Sequence, residues 1–367
     1  MPHSDTDAPT IERTHEAEPP RLQVPAGEAS TALEAEPRRP HAPASSTRRE
    51  VVRPAVSAFG LLPGEFAIRT YLTNNYLTAR DGGRHSIDAL VTSATTLGPN
   101  EKFKLTTIQP DYTTIQTPLR YFVSAVGEGG LGGNFPASQV LQTERTALAD
   151  DSLFVLFGPG VGTGWSYIRT FNEHYLTALG GGGKASNAFH TDATVASTWE
   201  AFWVLKSGDL GSGYRYAIRP TGTGGPGQNI NFLTAEDGGG HGANRYPAVV
   251  HNQGLVPTWS GFTLLRQADG SYALQTYSGN YVTAVGGGGI AGGDNLHTDA
   301  TQIQAWEKFR IVDQGNATYT IQTVSGFYLA VDTRVLDIGG ISTRISDPNA
   351  APQIGYTAKF ELMMMGA

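Results

Sequence analysis

The chain has 367 residues, with 46 Gly, 21 Pro, 16% charged and 39% hydrophobic residues, a composition that turns often and spends little length in long helices. It holds no Cys, which removes disulfides, thiolate metal sites and cysteine nucleophiles together, and no apolar run of the 18 or more residues that a membrane helix needs. A net charge of −7 argues against a mainly electrostatic nucleic-acid partner.

Composition divides the chain near residue 59. Residues 1–58 contain no Phe, Tyr or Trp, nine Pro and sixteen charged residues, too little apolar surface to offset the entropy of ordering. They read as a disordered tail. The start of the chain lacks the basic and then apolar segments of a secretory signal, and the compartment stays open.

From residue 59 onward the chain repeats itself. A strand-like segment with an apolar residue two places before Thr or Pro recurs at Ile68, Ile115, Ile168, Ile218, Leu274 and Ile321. Shortly after each comes a tetrapeptide led by an aromatic, at Tyr76, Phe122, Tyr175, Phe232, Tyr281 and Tyr328, then a polar stretch, Gly-rich in most copies, and a closing Phe at 103, 154, 202, 262, 309 and 360. Segments such as Tyr319-Thr-Ile-Gln-Thr alternate apolar and polar residues, the period of a half-buried strand. Asp269-Gly270 and Ser278-Gly279-Asn280 between them are hairpin signals. Six copies of a unit of about 50 residues with four short strands each fit two tandem β-trefoil domains, 59–207 and 208–367, at the usual domain size. A six-bladed β-propeller is the alternative.

The run from Asn280-Tyr281-Val-Thr-Ala through Gly286–Gly289, His297-Thr-Asp-Ala-Thr301 and Trp306-Glu-Lys-Phe309 resembles the fascin-like β-trefoil family, as does the run from Glu173 to Phe202. The resemblance spans about residues 62–364. It implies that the leading aromatic, the small residue three places on and the closing Phe occupy barrel and cap positions. It also implies actin-filament or protein cross-linking as one function, and carbohydrate-attached modules are related. Two trefoils instead of fascin's four, and a net acidic body, stand against bundling of acidic filaments.

No nucleophile elbow, zinc-protease helix or opposed carboxylate pair is present, so the chain reads as a non-enzyme without cofactor or catalytic residues. The Gly180–Gly183 run fails as a phosphate loop, since Ala178 and Ala185 stand where Gly and Ser or Thr are required. His190-Thr-Asp192 and His297-Thr-Asp299 lack the further ligands of a closed metal site. A turn with Thr or Asp capping backbone amides is their plain reading, and sugar hydroxyl binding the functional one. Trp199, Trp259 and Trp306, each three residues before a closing Phe, read by default as core and alternatively as sugar-stacking platforms. Trp165 and Trp203 carry no pattern. The candidate ligand-binding residues are thus His190, Asp192, Trp199, His297, Asp299 and Trp306, with a glycan or polysaccharide as the expected partner and actin filaments or another protein as the alternative.

Overall fold

The computed structural model describes residues 60–61, 64–108, 112–157, 165–222, 231–242, 248–251, 258–290, 294–332 and 338–365. The tail expected from composition and most of the Gly-rich insertion in the fourth copy lie outside them. Among the described residues all regular structure is β-strand or short 3-10 helix.

Six strands close into a first barrel. Glu65–Thr70 pairs with Lys102–Ile108, followed in turn by Tyr112–Gln116, Phe154–Phe157, Ser166–Thr170 and Ala201–Ser207, which pairs back on Glu65–Thr70. Three hairpins cap it: Tyr76–Ala79 with Leu90–Ala94, Phe122–Ala125 with Leu141–Arg145, and Tyr175–Ala178 with Phe189–Ala193. The second barrel closes the same way through Tyr214–Pro220, Gly261–Arg266, Tyr272–Gln275, Arg310–Asp313, Tyr319–Gln322 and Phe360–Met364, one contact being the Tyr272–Phe309 bridge. Its caps are Phe232–Ala235 with Ala248–His251, Tyr281–Ala284 with Leu296–Ala300, and Tyr328–Asp332 with Ile341–Ile345. The fourth strand of a unit therefore pairs with its own first strand or with a neighbouring unit's. A propeller blade pairs its strands in sequential order, so the propeller alternative is excluded and the fold is two tandem β-trefoils.

The burial explains the repeat. All six closing Phe are at most 1% exposed, and Ile68, Ile115, Ile168, Ile218, Leu274 and Ile321 at most 2%. They fill the two barrel cores. The leading aromatic behaves differently from the expectation. In four copies it is half-buried, and the residue after it, from Val123 to Leu329, enters the core instead. A register shift between the leading residue and the position two further on, seen in five hairpins, sets the apolar face one residue later.

The two exceptions, Tyr76 and Phe232, are buried because they serve a third cluster with Ala67, Ala201, Trp203, Leu205, Ala217 and Met363, where the two barrels meet. Beside it, Glu361 of the second barrel accepts Arg219 from its own barrel, with Nε at 2.9 Å, and Arg69 of the first at 2.8 Å. Arg219 stacks on Trp203 with its guanidinium carbon 3.9 Å from the ring centroid. Burial alone would raise the Glu361 carboxyl, but the two guanidiniums outweigh it and hold it below the ordinary glutamate range. Asn316, the asparagine of the sequon Asn316-Ala-Thr318, is committed to this seam as well. Its side-chain oxygen accepts Leu97 N–H at 2.9 Å and its carbonyl accepts the Tyr76 hydroxyl at 3.1 Å.

Candidate functional site

The chemistry-bearing residues of the repeat gather at the junctions between successive units. In the first trefoil a Thr from each third strand inserts into the glycine-containing loop of the preceding unit around the ring. Thr143 takes the first loop, with His85 N–H donating to its hydroxyl at 3.1 Å. Thr191 takes the second through Leu131 N–H at 3.1 Å, and Thr92 the third through Lys184 N–H at 3.0 Å. Backbone bonds flank each contact. Thr298 in the second trefoil does the same with His241 N–H at 3.2 Å. The central Thr of both His-Thr-Asp segments is fully buried and caps a backbone amide, but the segments lie within strands, Phe189–Ala193 and Leu296–Ala300, and not in the turns expected of them.

The glycine runs serve the same junctions. At Gly182, with φ of 116°, a Cβ would lie 2.6 Å from Thr70 Oγ1 and 2.5 Å from Thr73 Oγ1, so only glycine allows this loop to sit against the first strand of the next unit in the ring. The Thr two places after the repeated Ile or Leu meets the equivalent glycine in five described junctions.

His190, Asp192, His297 and Asp299 separate around this frame. His190 Nδ1 lies 3.8 Å from Asp192, but His297 is held by Asp294 at 2.7 Å. Asp192 rests against Gly132 and Asp299 against Gly242, both on the preceding unit's loop, where a Cβ would come within 2.5 Å of the carboxylate. Among the described residues no group of three or more acidic, His or Cys side chains is arranged to hold a metal ion, and no helix is long and apolar enough to cross a membrane.

The tryptophans overturn the default expectation of core packing. Trp199, Trp259 and Trp306 are 44%, 38% and 49% exposed. The dipeptide Trp-Glu divides its labour: Glu200 is buried, accepting Ser197 N–H at 2.7 Å and the Thr177 hydroxyl at 2.8 Å, and Glu307 accepts Gln304 N–H and the Thr283 hydroxyl likewise. With the Glu pinned inward, the preceding ring points outward. The other three copies place Asn100, Asp151 and Thr357 three residues before the closing Phe, so the fold itself does not require an indole there.

Trp259 and Trp306 lie against the glycine loops of their own units, at Gly238 and Gly287, where residues of the following unit also converge, whereas each His-Thr-Asp segment contacts the loop of the preceding unit. Asp299 therefore shares a junction with Trp259, not with Trp306. The pairing of Asp and Trp within one copy, natural in the sequence, is not how the structure groups them. The residues that sequence reasoning missed are Gly132, Gly242, Glu200 and Glu307, together with Trp203 at the seam between barrels.

No family model and no curated protein matches the chain. Among solved structures it is similar to ThreeFoil, a designed three-fold symmetric protein, with a TM-score of 0.34, 8% identity and coverage of 39% of this chain and 99% of that one. It is similar to a mosquitocidal holotoxin with a TM-score of 0.33, 10% identity and coverage of 82% of this chain, spanning only 34% of the toxin. The Rhizoctonia solani agglutinin gives 0.31 and 14%, over 40% of this chain and 97% of the agglutinin. At these scores the likenesses bear on no activity, and the trefoil assignment rests on the closure of the two barrels.

Proposed function

We propose that the chain is a non-enzymatic glycan-binding protein that takes saccharides on the exposed indoles at its inter-unit junctions. The observation that carries this reading is the outward placement of Trp199, Trp259 and Trp306 in a fold that accepts polar residues at the equivalent places. Each ring keeps an open area on which a flat apolar ligand face can stack. A pyranose offers a flat C–H face of matching size, with hydroxyls at its rim for nearby Asp and backbone groups.

Asp192 and Asp299 are both exposed and supply acceptors for such hydroxyls. Nothing among the described residues favours actin cross-linking, the alternative implied by the fascin-like resemblance. The test is binding of the purified chain to an array of neutral and acidic glycans, followed by the same assay on a Trp199→Ala, Trp259→Ala, Trp306→Ala triple variant. Saturable binding lost in the triple variant supports the reading. No binding to any glycan, or binding unchanged in the triple variant, overturns it.

A further inference from the structure

We infer that Arg169 and Phe157, on the outer wall of the first barrel, bind the carboxylate of an acidic sugar, a uronate or a sialate. This rests on the glycan-binding reading and goes beyond it by adding a site made of other residues and by naming the charge of its ligand.

The residue after the repeated Ile or Leu faces out of the barrel, and its partner differs from copy to copy. In three copies it is Gln, and each Gln closes its own turn: Gln116 Nε2 donates to Arg120 O at 3.4 Å, Gln275 Nε2 to Gly279 O at 3.0 Å and Gln322 Nε2 to Gly326 O at 2.9 Å. In the other three it is Arg, and each guanidinium lies against an aromatic ring. The distance to the ring centroid is 5.7 Å for Arg69 on Tyr76, 3.9 Å for Arg219 on Trp203 and 4.6 Å for Arg169 on Phe157. Arg69 and Arg219 are completed by one carboxylate, that of Glu361. Arg169 has the ring without the carboxylate. Among the described residues its guanidinium makes no hydrogen bond or ion pair, and its Nε is buried without an acceptor.

Strand register gives the reason. Glu361 stands directly opposite Arg219 on the neighbouring strand, whereas the equivalent residue opposite Arg169 is Val155. A valine offers the guanidinium no acceptor, so the geometry leaves that acceptor to a ligand. A guanidinium stacked by its face keeps its Nη edge for a carboxylate, which takes two parallel hydrogen bonds from it.

The support is built before a ligand arrives. Phe157 lies 6.5 Å from the ring of Tyr175, which meets Tyr167 edge-on at 6.0 Å, and Trp165 Nε1 donates to the Tyr167 hydroxyl at 2.9 Å. Phe157 ends this row 38% exposed, with Arg169 and Tyr175 half-buried beside it. Held rings reduce the ordering cost of binding, and the open part of Phe157 can take the apolar face of a pyranose whose carboxylate sits on Arg169. One exposed ring and one guanidinium fall far short of the area that a stable protein partner needs. The net charge of −7 opposes a dense polyanion, so the fitting ligand carries isolated carboxylates among neutral sugars.

The experiment titrates the full chain by calorimetry with 3′-sialyllactose and cellobiouronate, each beside its uncharged counterpart, lactose and cellobiose. At least one acid is expected to bind at least about tenfold more tightly than its counterpart, as a hydrogen bond to a charged group provides, and the acid that does so identifies the source of the carboxylate. Arg169→Gln installs the residue of the three Gln copies, and is expected to keep the melting temperature and abolish the preference for acid. Val155→Glu gives Arg169 the internal carboxylate that Arg219 has, and is expected to abolish the preference without touching the arginine. Phe157→Leu, the residue at the equivalent Leu265, is expected to weaken acid binding at least about threefold. Equal binding of acid and counterpart, or a preference unchanged in Arg169→Gln or Val155→Glu, overturns this site and leaves the glycan-binding reading to the tryptophan triple variant. A preference for acid that the triple variant retains and Arg169→Gln loses supports the site, and if the triple variant also binds every other glycan unchanged, the indole reading alone falls. Absence of binding to all four sugars overturns the site, and a silent glycan array besides overturns both.

Discussion

Replacing Glu361 by Gln keeps the side-chain shape at the seam between the barrels and removes its charge. The side chains of Glu361 and Arg219 are each 4% exposed and that of Arg69 12%, so water cannot take over the lost partner. With charge centres about 4 Å apart and an effective dielectric near 20, each Arg–Glu attraction is about 4 kcal/mol. Two such attractions oppose the desolvation of three ions and the repulsion between the two guanidiniums, and the net contribution of the triad is far smaller than their sum. Removing only the carboxylate is a different perturbation, because it takes the shared carboxylate away from two buried guanidiniums, and we expect it to cost about 3–5 kcal/mol. Urea denaturation followed by circular dichroism measures the loss. Replacing all three residues by apolar ones of similar volume, Arg69→Met, Arg219→Met, Glu361→Leu, should recover most of it. A Glu361→Gln variant within about 1 kcal/mol of the parent would refute the view that the seam depends on this ion cluster. The pH dependence follows in sign. Glu361 titrates lower in the folded chain than in the unfolded one, so its stabilisation is complete above the ordinary glutamate range and is lost as pH falls through the depressed folded value.

Lys206 is fully buried, donating to Ser207 O at 2.7 Å and Glu65 O at 3.1 Å, and burial pushes its ammonium down to about 8. The unfolded chain therefore holds this proton more tightly, and stability should rise between about pH 8 and 10.5 by up to ~3 kcal/mol; Lys206→Met should abolish that rise in pH-dependent denaturation, and an unchanged rise would assign it elsewhere. Gly182→Ala should cost well over 1 kcal/mol, because Thr70 and Thr73 occupy the space of its Cβ. Gly127→Ala, at φ of 63° with nothing within 4 Å, should cost about 1 kcal/mol, and equal melting temperatures for the two would refute the docking role of the glycine run. We propose 59–207 and 208–367 as the domain limits. Each expressed alone would expose its share of the cluster around Trp203, Phe232 and Met363, so the separate halves should self-associate and regain a monodisperse 1:1 complex on mixing, as light scattering would reveal.

The barrel positions were legible in the sequence because a closing Phe, and an Ile or Leu two places before Thr or Pro, must enter the core in every copy, and repetition alone exposes such a rule. The leading aromatic misled because its hairpin carries a register shift, which moves the apolar face by one residue without leaving a mark in residue type. Tyr76 and Phe232 look like their four counterparts, and their burial is decided by the other barrel, a tertiary effect that no local pattern encodes. The Trp rings were misjudged for a related reason. They stand in loops, where alternation gives no sense of inside and outside, and the adjacent Glu200 and Glu307 take the buried place. A signal was present in Asn100, Asp151 and Thr357, whose polarity at the equivalent positions marks that point of the unit as one the core does not need.

The seam and the junction sites are linked through valency. Because Arg69, Glu361, Arg219 and Trp203 bind the two barrels together, Trp199 on one and Trp259 and Trp306 on the other hold fixed relative positions. On the proposed glycan-binding reading, a repeating polymer held at one exposed indole would be presented to the next at a high effective concentration, with avidity above a single contact by roughly 10²–10⁴-fold. An oligosaccharide too short to reach a second indole would gain nothing from this arrangement. Loosening the seam with Glu361→Gln, under conditions where both barrels remain folded, should therefore leave the affinity for a trisaccharide unchanged and weaken retention on the immobilised polymer of the same sugar by tenfold or more. Parallel losses for trisaccharide and polymer would instead place Glu361 in the support of an individual binding position, and unchanged retention on the polymer would refute the link between seam and valency.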